Sequence, residues 1–160
     1  MTLKQQLQKI IDEGVAAGLS PIVMERAIVP SLIRVVKFLK HSHYYVWQGQ
    51  EKEFVVTVLE HRFKTNVYRK VIFAFPTAAI AESHPDFDPQ TMSLMSVEVA
   101  PLIFQILTIP EEELDSLIFF NKKGNTVEVK EVDCKDVKTL IQDKVKKLPI
   151  PPKRPNTRLV

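Results

Sequence analysis

Residues 43–75 read HYYVWQGQEKEFVVTVLEHRFKTNVYRKVIFAF, and this stretch decides the fold class. It is rich in valine and aromatic residues, which favour β-strands, and two short polar segments interrupt it. The pattern predicts three antiparallel strands joined by hairpin loops. In the third strand one side carries Val67, Val71, Phe73 and Phe75, so we expect that side to face the core and Tyr68 and Lys70 to face away.

Helical patterns precede this stretch. Thr2 and Gln5 form a capping box in front of an amphipathic segment, which predicts a first helix. Ser20 and Pro21 suit the start of a second helix, because a proline in the first turn loses no helical hydrogen bond. Pro30 should kink or break that helix, since it removes a backbone donor from the helix interior.

The second half of the chain mixes both patterns. Residues 101–107 are apolar in all directions, so strand and buried helix both remain open. Thr108 and Glu111 form a second capping box and predict a short helix. Two strand patterns then flank Gly124, which indicates a β-hairpin, and Asp133 caps a last amphipathic helix.

These elements predict one α+β domain at residues 1–148. We expect N-terminal helices packed on a mainly antiparallel sheet of about 4–6 strands, with a C-terminal hairpin and helix. Residues 149–160 read PIPPKRPNTRLV and predict a proline-rich basic tail. Its Pro149-x-x-Pro152-x-Arg154 spacing is a form that proline-motif-binding domains accept.

Composition excludes several classes. With 160 residues, of which 45% are apolar, the chain can bury a core without disulfides or metals. Cys134 is the single cysteine and no secretion-signal pattern opens the chain, so we expect a cytoplasmic protein. No apolar segment reaches the roughly 20 residues of a membrane span, and no membrane association is expected. The net charge of +3 derives from the tail, so the body gives no sign of nucleic-acid binding.

The segment SHPDFDP, residues 83–89, sets His84, Asp86 and Asp88 at alternate positions. A calcium loop of the EF-hand kind starting at Asp86 would need glycine at its sixth position and an acid at its twelfth. The chain has Thr91 and Val97 there. The segment is therefore interpreted as a proline-bounded loop whose aspartates form local turns.

Three histidines are a candidate metal site. His41 and His43 form an H-x-H at the start of a predicted strand, where both imidazoles could point the same way. His61 could approach them across the first hairpin. Imidazole nitrogen suits transition metals, which makes a histidine-based metal-binding protein one alternative function.

Asp115, Glu128 and Lys130 form a second candidate site. An acid followed across a hairpin by E-x-K resembles the PD-(D/E)xK nuclease family, although Leu114 precedes Asp115 where that family has proline or glycine. The resemblance implies Mg²⁺ on Asp115 and Glu128, with Lys130 orienting the attacking water. Mg²⁺ enters only under this alternative, and no other cofactor is expected.

A basic cluster, the single cysteine and the glycines complete the candidate features. Arg62, Phe63, Lys64, Tyr68, Arg69 and Lys70 form a basic and aromatic cluster of the kind that binds phosphates and bases, so nucleic acid is a possible partner. Cys134 lies at a predicted helix start, but no histidine is near it in sequence, and we interpret it as structural. The four glycines are scattered, which excludes a phosphate-binding P-loop.

The sequence thus favours a non-enzymatic protein-binding or regulatory module over either catalytic or metal chemistry. No complete catalytic set is present, and Tyr44, Tyr45 and Trp47 are expected to lie exposed near a sheet edge. We expect its sheet to associate with a protein partner or with a second copy as a homodimer.

Overall fold

The computed structural model describes residues 2–60 and 63–149 of the chain. It confirms the α+β class: helices pack on a mainly antiparallel sheet, and a strand pair and a helix come last. The helices are α1 (Leu3–Ala16), α2 (Pro21–Val23), α3 (Val29–Val36), α4 (Ala78–Ser83), α5 (Val99–Ile106) and α6 (Cys134–Lys146). The strands are β1 (His43–Gln48), β2 (Thr57–Glu60), β3 (Tyr68–Phe75), β4 (Ser93–Glu98), β5 (Ser116–Lys123) and β6 (Thr126–Asp133). The predicted tail, from residue 150 onward, lies outside the described residues.

One sheet joins all six strands of the described part, in the order β4-β1-β3-β5-β6, with β2 also paired to β3. Every pair is antiparallel except β3 and β5. The predicted hairpin arrangement was partly wrong, because β1 and β2 do not form a ladder with each other. Both pair with β3, β2 along its first half and β1 along its second half.

The sheet has two packed faces, which we name by what covers them. The helix face carries Tyr44, Ile72 and Phe119 and packs against the helices before β1, α5 and α6. The aromatic face carries Trp47, Phe73 and other rings, and α4 with the loop after it covers part of it.

Residues 71–75 of β3 are buried on both faces of the sheet, whereas Tyr68 and Lys70 are exposed, as expected. Val67 was expected to face the core but is 39% exposed. Val71, Ile72, Phe73, Ala74 and Phe75 are all less than a tenth exposed. Alternate side chains point to opposite faces of a sheet, and here each face has its own core. Such a central strand has an almost continuous apolar sequence.

The aromatic residues of β1 were predicted to be exposed near an edge, and this was also wrong. Strand β1 lies between β4 and β3, away from either edge of the sheet. Tyr44 and Trp47 are buried on opposite faces, and Tyr45 is half-buried. Within the described part, β2, β4 and β6 each pair with a single neighbour, so the edges of the sheet lie on strands that come later in the chain.

Pro30 neither breaks nor ends the second helix. A π-helical turn, Met24–Ile28, lies between α2 and α3, and Val29 N–H donates to the carbonyl of Met24, five residues back. A wider turn relieves the clash between a proline ring and the carbonyl four residues before it. The helix therefore continues through Pro30 to Val36.

The apolar segment 101–107, left open by the sequence, lies largely in helix α5. The short helix predicted after it is absent, and residues 111–113 form only a turn. Thr108 is not a cap: no N–H of the described chain donates to its hydroxyl, which itself donates to the carbonyl of Gln105 at 2.7 Å. Within residues 2–60 and 63–149, no helix has both the length and the apolar character that a membrane span needs.

Candidate functional site

Asp115 lies directly before β5 and joins three strands. Its N–H donates to the carbonyl of Lys70 at 2.8 Å, and its carboxylate accepts from the N–H of Lys70 at 2.8 Å. Its carbonyl accepts from the N–H of Cys134 at 2.9 Å. Asp115 thus links β5 to β3 and to the end of β6 through hydrogen bonds. Its carboxylate is engaged by the backbone N–H of Lys70.

Glu128 and Lys130 lie together, but the structure does not bring Asp115 to them. Glu128 is paired with Asn121, six residues beyond Asp115 along β5. At about 3.3 Å per residue, this register separates the backbone of Glu128 from that of Asp115 by about 20 Å. The Glu128 carboxylate instead contacts the Lys130 ammonium, with 3.5 Å between oxygen and nitrogen.

The two described histidines of the other candidate site contact different tyrosines. His41 precedes β1 and packs edge-on against Tyr44, whereas His43 packs edge-on against Tyr45 on the opposite face. Burial, together with the nearby His43 and Lys40, lowers the pKa of His41. His61 lies outside the described residues. Among those described, no three histidine, cysteine or acidic side chains cluster as a metal site would require.

The basic cluster at the β2–β3 hairpin has two of its cations engaged by the protein itself. Arg69 donates to Glu131 at 2.6 Å and to Asp133 at 3.1 Å. The ammonium of Lys70 donates to the carbonyl of Glu112 at 2.7 Å. Arg62 lies outside the described residues. The two acids of β6 therefore reduce the positive field that a phosphate would meet at Arg69.

The segment 83–89 has the local turns that its composition predicted. Asp88 accepts from the N–H of Gln90 at 3.0 Å and from the hydroxyl of Thr91 at 3.1 Å. His84 accepts from the N–H of Asp86 at 3.1 Å. The centroid of its ring lies 5.2 Å from the ring centroids of both Trp47 and Phe73. This loop lies on the aromatic face.

Cys134 is the first residue of α6 and is buried. Burial raises the pKa of its thiol to about 11, outweighing the opposite effect of Lys138. A nucleophilic cysteine needs a thiolate near neutral pH. Cys134 is therefore a packing residue in this fold.

The aromatic face contains a continuous ring cluster. Trp47 lies edge-on to Phe73 with 5.6 Å between ring centroids, and its indole N–H donates to the carbonyl of Ala81 at 3.1 Å. Phe75 and Phe120 are stacked with centroids 4.8 Å apart. The cluster thus extends from β1 across β3 to β5.

The cover of this face ends before the last strand. Phe120 is only partly buried, and its neighbour across the β5–β6 pair is Val129. Val129 is 56% exposed and Val127 is 46% exposed on the same side. We name Phe120, Val127 and Val129 the valine patch. It is an apolar surface continuous with the core at the open edge of the sheet.

The sequence did not reveal this patch. The alternation in TVEVKEV, residues 126–132, predicts a strand with Val127 and Val129 facing inward and with Glu128 and Lys130 in water. In the structure both valines are more exposed than either charged residue. Alternation shows which residues share a face, but not which face is covered at that point.

No protein-family model matches the chain, and no curated protein is similar to it in sequence.

Proposed function

We propose that the protein is a non-enzymatic protein-binding module, and that its binding surface is the valine patch on the aromatic face. One observation carries the proposal: two β-branched apolar side chains lie about half exposed beside a buried aromatic cluster. Apolar surface that continues a core outward is typical of interaction sites.

The rigidity of this surface also supports binding. Val127 and Val129 lie on a strand that is paired with β5 over its whole length, so their positions are fixed before a partner arrives. A preformed surface loses little conformational entropy on association. At the other candidate sites Asp115, Arg69 and Lys70 are engaged by backbone or acidic groups, whereas the valines of the patch have no cover in the described chain.

Photo-crosslinking in cells tests this proposal. A benzoylphenylalanine placed at position 129 is expected to give a covalent adduct with a protein. Val58 provides a matched control position, since it is also a strand valine, 57% exposed, but lies on the other face of the sheet.

Adduct formation at position 129 and not at 58 would support the valine patch as the binding surface. No adduct at position 129, or equal yields at both positions, would contradict it. Mass spectrometry of the adduct identifies the captured chain as a different protein or as a second copy.

A further inference from the structure

Strand β6 is one edge of the sheet, and its outer side offers backbone hydrogen-bonding groups. It is the last strand in the sheet order, paired with β5 alone. Apart from the ladder with β5, no backbone hydrogen bond joins residues 127–132 to any other part of the described chain. An unpaired edge of this kind is a template for another strand.

The β5–β6 ladder determines which groups point outward. The bond from Cys134 N–H to the carbonyl of Asp115 identifies that pair as hydrogen-bonded. Hydrogen-bonded and non-hydrogen-bonded pairs alternate along an antiparallel ladder, so even-numbered residues of β6 bond to β5. The N–H and C=O groups of Val127, Val129 and Glu131 therefore point away from β5.

We propose that two copies of this chain pair through β6, antiparallel, about a twofold axis at Val129. In this register Val129 lies opposite Val129 of the second copy, and Glu128 lies opposite Lys130 of the second copy, twice by symmetry. Val127 likewise lies opposite Glu131 of the second copy. At each of these odd-numbered positions the outward-pointing N–H and C=O groups of one copy face those of the other. Three such pairs give about six backbone hydrogen bonds.

Charge selects this register among the alternatives. An axis at Glu128 or at Glu131 sets two carboxylates against each other, and an axis at Lys130 sets two ammonium groups against each other. An axis at Val127 leaves both Glu128 and Lys130 without an opposite charge across the interface. Opposite charges directly across a strand pair are stabilising and like charges are destabilising.

The other edge strands, β2 and β4, lack this self-complementarity. Strand β4 reads SLMSVE and β2 reads TVLE, and their only charged residues are Glu98 and Glu60. No antiparallel self-pairing of either strand can therefore form an ion pair within the strand, whereas β6 forms two. Pairing at β6 also places the two valine patches side by side, so the inference rests on the proposed function and specifies a second copy as its partner.

Charge reversal tests the register. E128K places lysine opposite Lys130 at both symmetry-related contacts, and K130E places glutamate opposite Glu128 in the same way. Each variant alone is expected to raise the dimer dissociation constant about tenfold, measured by analytical ultracentrifugation. The double variant E128K/K130E should dimerise like the natural chain, because each contact again joins opposite charges.

Mixing the E128K and K130E chains tests the same register through heterodimer formation. In a mixed dimer the lysines of the E128K chain face the glutamates of the K130E chain, so a heterodimer should form where each variant alone is monomeric. Recovery on mixing also shows that both variants are folded. If mixing yields no heterodimer, or if the natural chain is monomeric in the same concentration range, the inference is overturned.

A cysteine crosslink tests the axis independently. Cα atoms of a hydrogen-bonded antiparallel pair lie about 5.5 Å apart, which is within the range of a disulfide. V129C should therefore form a covalent dimer under mild oxidation, whereas V58C, equally exposed on β2, should not. Equal crosslinking of the two variants would contradict an axis at Val129.

The two proposals fail in different ways. If position 129 captures a different protein while V129C and the mixed variants give no dimer, the binding module stands and the homodimer is wrong. If position 129 captures nothing and V129C gives no dimer, both are wrong.

Discussion

Tyr44 and Asn121 form a buried polar contact within the helix-face core. The Tyr44 hydroxyl donates to Oδ1 of Asn121 at 2.6 Å, and both residues are fully buried. Tyr44→Phe would leave the Asn121 carbonyl without a donor, so we expect the free energy of unfolding to fall by about 1–3 kcal/mol. Urea denaturation measures this loss.

The double variant Tyr44→Phe/Asn121→Leu is the control for this contact. Removing both polar partners leaves neither group unpaired, so we expect it to be more stable than Tyr44→Phe alone. The amide nitrogen of Asn121 has no hydrogen-bond partner in the described part of the chain, which adds to the gain from removing it. A double variant that loses the sum of the two single effects would contradict this coupling.

Cys134 provides a pH-dependent prediction at the same scale. Its pKa is raised from 9.0 to about 11, so at pH 8 the folded chain holds about a hundredfold less thiolate than the unfolded chain. Alkylation by iodoacetamide at pH 8 should be slower by at least about that factor than in urea. Equal rates with and without urea would contradict the burial of the thiol.

The same shift has a consequence for stability. The folded state favours the protonated thiol of Cys134, whose pKa it raises. The resulting contribution to the free energy of unfolding is complete below about pH 9 and is lost as the pH rises towards 11. Cys134→Val has no thiol to ionise, and its unfolding free energy should lack this component of the alkaline decline. Urea titrations at pH 8 and pH 10.5 compare the two chains.

At the scale of elements, Asp133 links the start of α6 to the sheet. One carboxylate oxygen accepts from the N–H of Asp136 at 3.1 Å, and the other accepts from Arg69. Asp133→Ala removes the helix cap and should reduce the unfolding free energy by about 1 kcal/mol. Thermal or urea unfolding measures this change.

Asp133→Asn separates the cap from the ion pair. Asparagine keeps an acceptor for the helix N–H but removes the negative charge beside Arg69. The pair is largely exposed, and Glu131 still contacts Arg69, so we expect a loss of only a few tenths of a kcal/mol. If Asp133→Asn is as unstable as Asp133→Ala, the ion pair and not the cap carries the stabilisation.

Elements with a local cause were predictable from sequence. The Thr2–Gln5 capping box, the Gly124 hairpin and the Asp133 cap each depend on residues a few positions apart, and all three occur as predicted. The helix predicted after Thr108 does not form: residues 111–113 are a turn, and the Thr108 hydroxyl bonds backwards to α5. The break that Pro30 could have caused does not occur, because a π turn before it lets the helix continue.

Contacts between distant segments were not predictable in this way. The parallel pairing of β3 with β5 places β3 inside the sheet, and the pairing of β4 with β1 removes β1 from the edge. For the same reason the predicted exposed aromatics are buried, and the valine patch is exposed instead. The spacing of Asp115 and Glu128 in sequence likewise gave no measure of their separation along β5.

At the scale of the whole molecule, one sheet separates two cores, and β3 belongs to both. Trp47 is the single tryptophan and lies in the aromatic-face core, whereas most helices pack on the other face. Tryptophan fluorescence and far-UV circular dichroism therefore report different faces. Because a shared central strand couples the two cores, their urea unfolding transitions should coincide.

Phe87→Ala tests this coupling from the covering loop. Phe87 is half-buried, and its ring centroid lies 6.0 Å from that of Trp47, so its removal should shift Trp47 emission to longer wavelength. It should also lower the unfolding free energy by about 2 kcal/mol. Phe63→Ala, at a side chain that is 86% exposed, is the control and should leave the emission unchanged. If Phe87→Ala makes the fluorescence transition precede the circular dichroism transition, the two cores unfold separately and β3 does not couple them.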